Sequence, residues 1–523
     1  MACVTNSHAS DIHHFFKGRT MDQDFHYYGT YYAARQGGFA TNDATLIAKA
    51  ANFVDFFNEN EYAAYWALVH DTAPTDNFRV AAIVENPRYT VQYSKAGMAV
   101  APEDGLWCSF HFPPGNYEAP AETPSHEAVH GKAVAAALPG FCQRDTNAGL
   151  AAVAAYQASR VPDFNYGKML NRPQSALSRE LIVDTIRCAT DESRLVAILD
   201  HAAGGRDILD HQREDNLRRL RLILLGLRAH VIADTWAHQD FNGLNSVLNT
   251  YWDVDYDPSS WSPLKQGYGR QGIDYNDGTA GWRNRVLSGV SAFVGEHREV
   301  LSFIGGIVGT GPVQGISANL EAAPNGTSYL GHGWMGHLPD FSFVKFRYKP
   351  CWANPAQPPL ERDNPREFRA AWIELVSMFS QAAGKGQLAL DAQFDAGLQK
   401  AVKAIEEPFD LERRDPARGH SARAWQTAFG DLPADLPDAN VEPDPRTVLA
   451  GVVRKTDHSD RFGISYINVY SDLYLFQIAA DYHFHFVSHY LSQQGIYRFN
   501  GSWSQQTSAL KGDLSALFAA KAV

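Results

Sequence analysis

Residues 212–240, "QREDNLRRLRLILLGLRAHVIADTWAHQD", decide how this chain is read. Leu217, Leu220, Leu224, Leu227 and Val231 recur every three or four residues, with Arg218, Arg219 and Arg221 between them. That is the period of a helix with one apolar face, and it predicts a helix over 212–240 that stops at Asn242-Gly243. On it His230, Asp234 and His238 stand four residues apart. Steps of four turn through about 400°, so the three side chains fall within an arc of about 80°. Each step also rises about 6 Å, which sets the two histidines roughly 12 Å apart. Zinc bonds are only about 2.0–2.2 Å long, so one ion does not bridge both. The spacing therefore points to more than one metal, with Asp234 as a bridging carboxylate, an arrangement suited to in-line phosphoester hydrolysis. The alternative is a polar stripe on a partly exposed helix. The stripe adjoins Leu227 and Val231 rather than the arginines, and buried Asp and His need partners or ions.

Working outward, the chain reads as mainly α with a small β-hairpin. "DFHYYGTYYAARQGG" is a helix stopped at Gly37-Gly38, and "TNDATLIAKAANFVDFFNEN" is a second one capped by Thr41 or Asn42. Residues 78–100, rich in Val, Tyr and Ile around Asn-Pro, predict a small hairpin or two short strands. Ala-rich helices follow from about 126 to 160, then helices at 174–190 and 192–203. Residues 251–282 are an irregular insertion, 283–300 another helix, 349–368 the clearest linker and 432–446 the next. Helices at 366–383, 386–405 and 470–493 complete the C-terminal part. The expected organisation is a loose leader (1–20), a metal-binding catalytic domain (21–348) with insertions near 75–125 and 243–330, and a helical region (366–523) packed on it.

The 523 residues suit one large helical domain with insertions, or two packed units. An apolar share of 45% is ample for a dry core. The net charge of −12 argues against a nucleic-acid backbone as the main partner, because phosphate binding needs a basic face. Five widely spaced cysteines without a CxxC read as reduced, mostly buried thiols. The N-terminus lacks the apolar core of a signal peptide, and no apolar run reaches membrane-spanning length. The expectation is a cytoplasmic protein, or one exported without a recognisable signal. No GxSxG, Walker A or clean GxGxxG is present.

Other metal-capable residues are Asp24 and His26 in "DFH", Asp55 in "NFVDFF", His111 in "CSFHFPPG", and His332, His337 and Asp340 in "GHGWMGHLPD". Singly, each suits a hydrogen-bonded core residue. Together they supply more imidazole and carboxylate than core polarity asks for, and the glycines around His332 and His337 allow a loop to reach inward. A second stripe, Asp481, His485 and His489 in "AADYHFHFVSHYL", repeats the four-residue step on an aromatic helix, with His483 pointing elsewhere. It suits a pocket wall, a core histidine pair or an added ligand.

These motifs resemble the zinc-dependent phospholipase C / P1 nuclease superfamily, all-helical enzymes with clustered zinc ions. "HVIADTWAHQDFNG" looks most like the zinc helix of glycosylphosphatidylinositol phospholipase D. More closely, "DFHYYGTYYAAR", "FHFPPG", "HVIADTWAHQ" and "GHGWMGHLPD" together look like an uncharacterised bacterial family, over most of residues 21–348. The superfamily resemblance implies a multi-helix bundle and two or three Zn2+ ions held by His26, Asp55, His111, His230, Asp234, His238 and His332. In the phospholipases an acidic residue follows the last histidine, and here His337 or Asp340 would stand for it. They also use an N-terminal Trp amino group, for which Asp24 would stand in here. The implied activity is a metal-dependent phosphoesterase with Asp55 as proton acceptor, acting on a phosphodiester, a phospholipid among the candidates. A nuclease or nucleotidase on the same scaffold, and a non-catalytic protein tied together by structural zinc, are the alternatives.

Overall fold

The computed structural model describes residues 24–55, 65–70, 80–85, 105–117, 166–244, 249, 251–255, 331–332, 339–343, 345–350, 360–407, 424–430, 449, 452–454, 464–499, 510 and 512–518. The leader, the helices expected at 126–160 and 283–300, the linker at 432–446 and His337 lie outside them. Within them the chain is mainly helical. A π-helical turn, Asp24–Gly29, runs into α1 (Thr30–Gly37). Helix α1 ends where expected, at Gly38, whose left-handed φ of 106° lets its N–H return to the Ala34 carbonyl. Helix α2 spans Thr41–Phe53. Its N-cap is Ala40, without a side-chain bond, rather than Thr41 or Asn42. Thr41 is the first helical residue, and the Thr45 hydroxyl donates to its carbonyl.

Further helices are α3 (Leu106–Phe110), α4 (Ala176–Thr190), α5 (Glu192–Asp200), α6 (Gly205–Asp210), α7 (Arg213–Ala237), α8 (Asn364–Ala382), α9 (Ala392–Ile405) and α10 (Asp472–Gln493). Side-chain caps start several of them: Ser175 accepts from Ser178, Asp363 from Arg366 and Ser471 from Tyr474.

The long helix α7 is the axis. Its first turns keep an arginine face, but every residue from Leu222 to Ala237 is buried. A helix buried all round belongs in the middle of a core. One side, through Leu220, Ile223, Leu224, Leu227 and Val231, joins a core that also takes in α4, α5 and α10. The other, through Leu222, Leu225, Ala229, Ile232 and Ala233, joins a core with α1, α8 and α9. N-terminal and C-terminal helices thus share both cores. Gly226 lets α7 meet the α2 backbone, since a Cβ there would lie 2.1 Å from the Ile47 carbonyl oxygen.

Of the hairpin or short strands expected over 78–100, residues 80–85 form a strand, and 86–100 lie outside the described residues. Strand β2 (Val80–Glu85) pairs antiparallel with an upstream strand, β1 (Tyr65–Val69). A second pair, β6 (Val452–Arg454) and β7 (Ile464–Asn468), completes a sheet of order β2-β1-β7-β6 through a parallel β1–β7 ladder that sets Tyr65 beside Ile464. So remote a pairing leaves no local signal. A second sheet joins β3 (Tyr251–Asp255), β4 (Lys345–Pro350) and β5 (Leu360–Asp363). Two readings are corrected here. Residues 251–255 are a strand rather than part of an irregular insertion, and the expected linker 349–368 contains the end of β4, all of β5 and the first turn of α8. No helix among the described residues is long and apolar enough to cross a membrane.

Candidate metal centre

Asp234 sits in the last turn of the buried length of α7, with no exposure to solvent. Its Oδ1 lies 3.2 Å from His26 Nε2, and its Oδ2 lies 3.0 Å from His111 Nδ1 and 3.2 Å from His230 Nε2. Three elements therefore meet at one carboxylate, and a fourth joins through their imidazoles. The π-helical turn delivers His26, a wide turn of a kind often found at functional sites. The residue just after α3 is His111. Helix α7 brings His230, and the end of α2 brings Asp55, whose oxygens lie 4.0 Å from His26 Nε2 and 3.7 Å from His230 Nε2. The His26 and His230 rings stack at 3.7 Å.

His230 shows how the ligand atoms are aimed. Its Nδ1–H donates to the Ala51 carbonyl at 2.9 Å. A carbonyl can only accept, so the ring proton sits on Nδ1 and Nε2 presents a bare lone pair to Asp234. Burial, with His26 beside it, lowers His230 to about 4, so it is neutral near pH 7. Burial lowers His26 and His111 too, against the pull of Asp234. Burial opposes ionisation of Asp234, yet His238 and His230 with the imidazole hydrogen bonds hold it well below the usual carboxylate range. A dry carboxylate thus faces neutral imidazoles. Neither ring nitrogen of His26 nor Oδ1 of Asp234 makes a well-formed hydrogen bond despite their approach. Buried imidazole and carboxylate atoms that converge so closely, some without a well-formed hydrogen bond, are satisfied by a cation, and the set fits one.

A second group lies beyond the end of α7. The helix stops at Ala237, and His238, its C-cap, keeps its place on the stripe, with Nδ1 3.6 Å from Asp234 Oδ2. Its Nδ1–H donates to the His111 carbonyl at 2.8 Å, and Nε2 turns to Asp340 Oδ1 at 3.1 Å. His332 Nε2 lies 3.2 Å from the same oxygen. Burial opposes a charge on His238, but Asp234 and Asp340 prevail and raise it. His26, Asp55 and His230, then His111, His230 and Asp234, and separately His238, His332 and Asp340, each bring ligand atoms within 4.8 Å of one another. His230 belongs to both of the first two sets and has one free lone pair, so those five residues form one interdependent helical group. The last three form a second, loop group, which adjoins the first where His238 Nδ1 lies 3.6 Å from Asp234 Oδ2.

Asp24 is buried in the turn of His26 but joins none of these sets. The second stripe divides. Asp481 is buried and accepts the Leu510 N–H, while His485 and His489 are only partly buried, and none of the three joins a set. His483 is buried against α3 and donates from Nε2 to the Ser109 carbonyl.

Some residues around the site carry no mark in the sequence reading. Asn171 Nδ2 donates to the Asp234 carbonyl, and Arg172 pairs with buried Asp240 at 2.7 Å. Asn52, one turn before Asp55, is buried with no hydrogen bond to its amide. The fully buried Arg362 donates to the carbonyls of Trp236, Ala237 and Gln239 at the end of α7. The one available signal is alternation in β5, which puts Arg362 on the buried face with Leu360.

The model of a family of unknown function, DUF6765, matches residues 21–491. The chain belongs to this family. The match covers the described ligands of both groups and continues through α8 and most of α10. No curated protein and no solved structure matches the chain.

Proposed function

We propose that this family member is a metal-dependent phosphoesterase, with zinc as its ion and phospholipase C-like hydrolysis of a phosphodiester as its reaction. The observation that carries the reading is the pairing of buried acids. Asp184, Asp240 and Glu367 meet arginines, whereas Asp234 and Asp340 meet imidazoles aimed by carbonyl hydrogen bonds. Orientation of a histidine by a carbonyl on its far nitrogen is the usual support of a metal ligand. The likeness of "HVIADTWAHQDFNG" to the zinc helix of the phospholipase C group adds the reaction type. His26, His111, His230 and Asp234 would hold ions in the helical group, and His238, His332 and Asp340 one in the loop group. Bound divalent ions supply Lewis acidity and positive charge against the phosphoryl oxygens.

The protein's own part follows from exposure. The side chains of His26, His111, His230, Asp234, His238 and Asp340 are fully buried, whereas Asp55 is 8% and His332 9% exposed. Substrate therefore meets the cluster at Asp55 and His332. Asp55, facing His26 and His230, accepts the proton of the attacking water, and the dry walls strengthen every charge interaction inside.

The depth of the helical group also suits a structural ion that ties α2, α3 and α7 together. Metal counting separates the two readings, because one fully protein-coordinated ion marks a structural site. A nuclease is less favoured, since Arg218 pairs with Asp43 and Asp215, and Arg219 with Asp215 and Asp472. The test is elemental analysis together with hydrolysis of a chromogenic phosphodiester. The expected result is two or three ions per chain, and activity that falls at least about a hundredfold in Asp234→Ala and on strong chelation. Activity indifferent to both would refute the phosphoesterase.

A further inference from the structure

The loop group raises a question of support. His26, His230 and Asp234 ride on packed helical turns, whereas His238, like His111 and Asp55, lies just past a helix end, and Asp340 lies in a turn. What holds His238 and Asp340 is one short segment between β5 and α8. Arg362 Nη1 donates to the Gln239 carbonyl at 3.1 Å, and Nη2 to those of Trp236 at 3.2 Å and Ala237 at 2.7 Å. These carbonyls bracket His238 on both sides. Two residues on, Asn364 Nδ2 donates to the carbonyls of Pro339 at 3.3 Å and Phe341 at 2.8 Å, which bracket Asp340 in the same way. Both side chains are fully or almost fully buried, and Glu367 supplies the countercharge to Arg362 at 2.7 Å.

We propose that the β5–α8 junction is the clamp of the loop metal site, with Arg362 and Asn364 as positioning residues for His238 and Asp340. This rests on the metal-binding reading of that group. A buried ion pair is a weak source of stability, since removing two charges from water costs about as much as their attraction returns. Arg362 gains its value from geometry. Its planar fork reaches the last carbonyls of α7, which have no partners within the helix. It braces the backbone on both sides of His238, whose Nδ1 stays 3.6 Å from Asp234 Oδ2 while Nε2 faces Asp340 at 3.1 Å. A lysine carries the same charge without the fork. The third ligand is held from elsewhere. Gly331, just before His332, donates its N–H to the Asn242 carbonyl and rests on the Phe112 ring.

The test is a Co2+ titration of the full-length, metal-free protein, followed by absorption, with Zn2+ competition. Wild type should show two classes of site, and His238→Ala should lack the class that belongs to the loop group. Arg362→Lys and, independently, Asn364→Leu should weaken that class by at least about tenfold, the usual effect of removing a ligand's support. The helical class should stay within about twofold. Leu199→Ala, a core truncation in α5, serves as the control for simple destabilisation and should keep both classes. The clamp is overturned if both variants fold and bind as wild type does. It is also overturned if they lose both classes together, as general loosening would produce. A wild type that binds no ion overturns the metal-binding reading and the clamp with it, whereas two intact classes in both variants overturn the clamp alone. Should Arg362→Lys fail to fold, Asn364→Leu decides.

Discussion

The helical and loop ligand groups use the same residue types and hold them by different means. In the helical group the supporting carbonyl of His230 comes from Ala51, near the end of α2, and the ligands lie on, or one or two residues past, helices packed in two cores. In the loop group His238 is supported by the His111 carbonyl, and the chain on either side of it by Arg362. The first is a by-product of packing; the second needs dedicated polar side chains. His111 links them, giving its ring to one group and its carbonyl to the other.

The sharpest way to break this comparison is to remove one ligand from each side. His230→Ala should abolish tight binding in the helical group, by more than about a hundredfold, because loss of mere ligand support already costs 10–100-fold. His238→Ala should spare the helical ions to within a few-fold. Calorimetric zinc titration of both variants checks this, and equal losses in the two would show the cluster to be one site.

A packing change comes next. Gly226→Ala sets a Cβ against the α2 backbone and should destabilise the fold by about 2–3 kcal/mol in urea melts. Because α2 carries Ala51 and Asp55, the helical group should weaken more than the loop group. A variant as stable as wild type would mean that α2 can move aside without loss.

The smallest effect is electrostatic and lies where α8 touches the end of α7. Trp236 Nε1–H donates to Glu374 at 2.7 Å, and burial nonetheless pushes this carboxyl up to about 7 from the ordinary 4.5. The folded chain then holds a proton that the unfolded chain releases, so stability falls as pH rises from about 4.5 to 7. Glu374→Gln should match wild type near pH 5 and exceed it by about 1 kcal/mol near pH 8, the part-exposed position reducing the full linkage value. Identical pH dependence of urea stability in the two proteins would remove Glu374 as the cause.

How much of this is legible in the chain depends on the range of the forces. His230 and Asp234 are legible because a helix fixes neighbours four residues apart. His26, Asp55 and His111 enter through motif likeness, since no local rule joins residues on separate elements. His238 is legible in its place on the stripe, with Nδ1 3.6 Å from Asp234 Oδ2, whereas its partner Asp340 lies 102 residues on, beyond any local rule. Arg362 and Asn364 fall in a segment whose Pro and charge content reads as linker. Their partners are main-chain carbonyls, which every residue possesses and no sequence pattern marks.

The sequence by itself determined the long helix, its stop near residue 240, the glycine stop of α1 and the residue types of the ligands, because periodicity, capping and side-chain chemistry are local. Only the tertiary structure decided that α7 is buried all round, that β1 pairs with β7, and that eight His and Asp side chains divide into a helical five and a loop three. Those outcomes rest on contacts between segments up to about four hundred residues apart, where burial leaves a dry carboxylate facing neutral imidazoles.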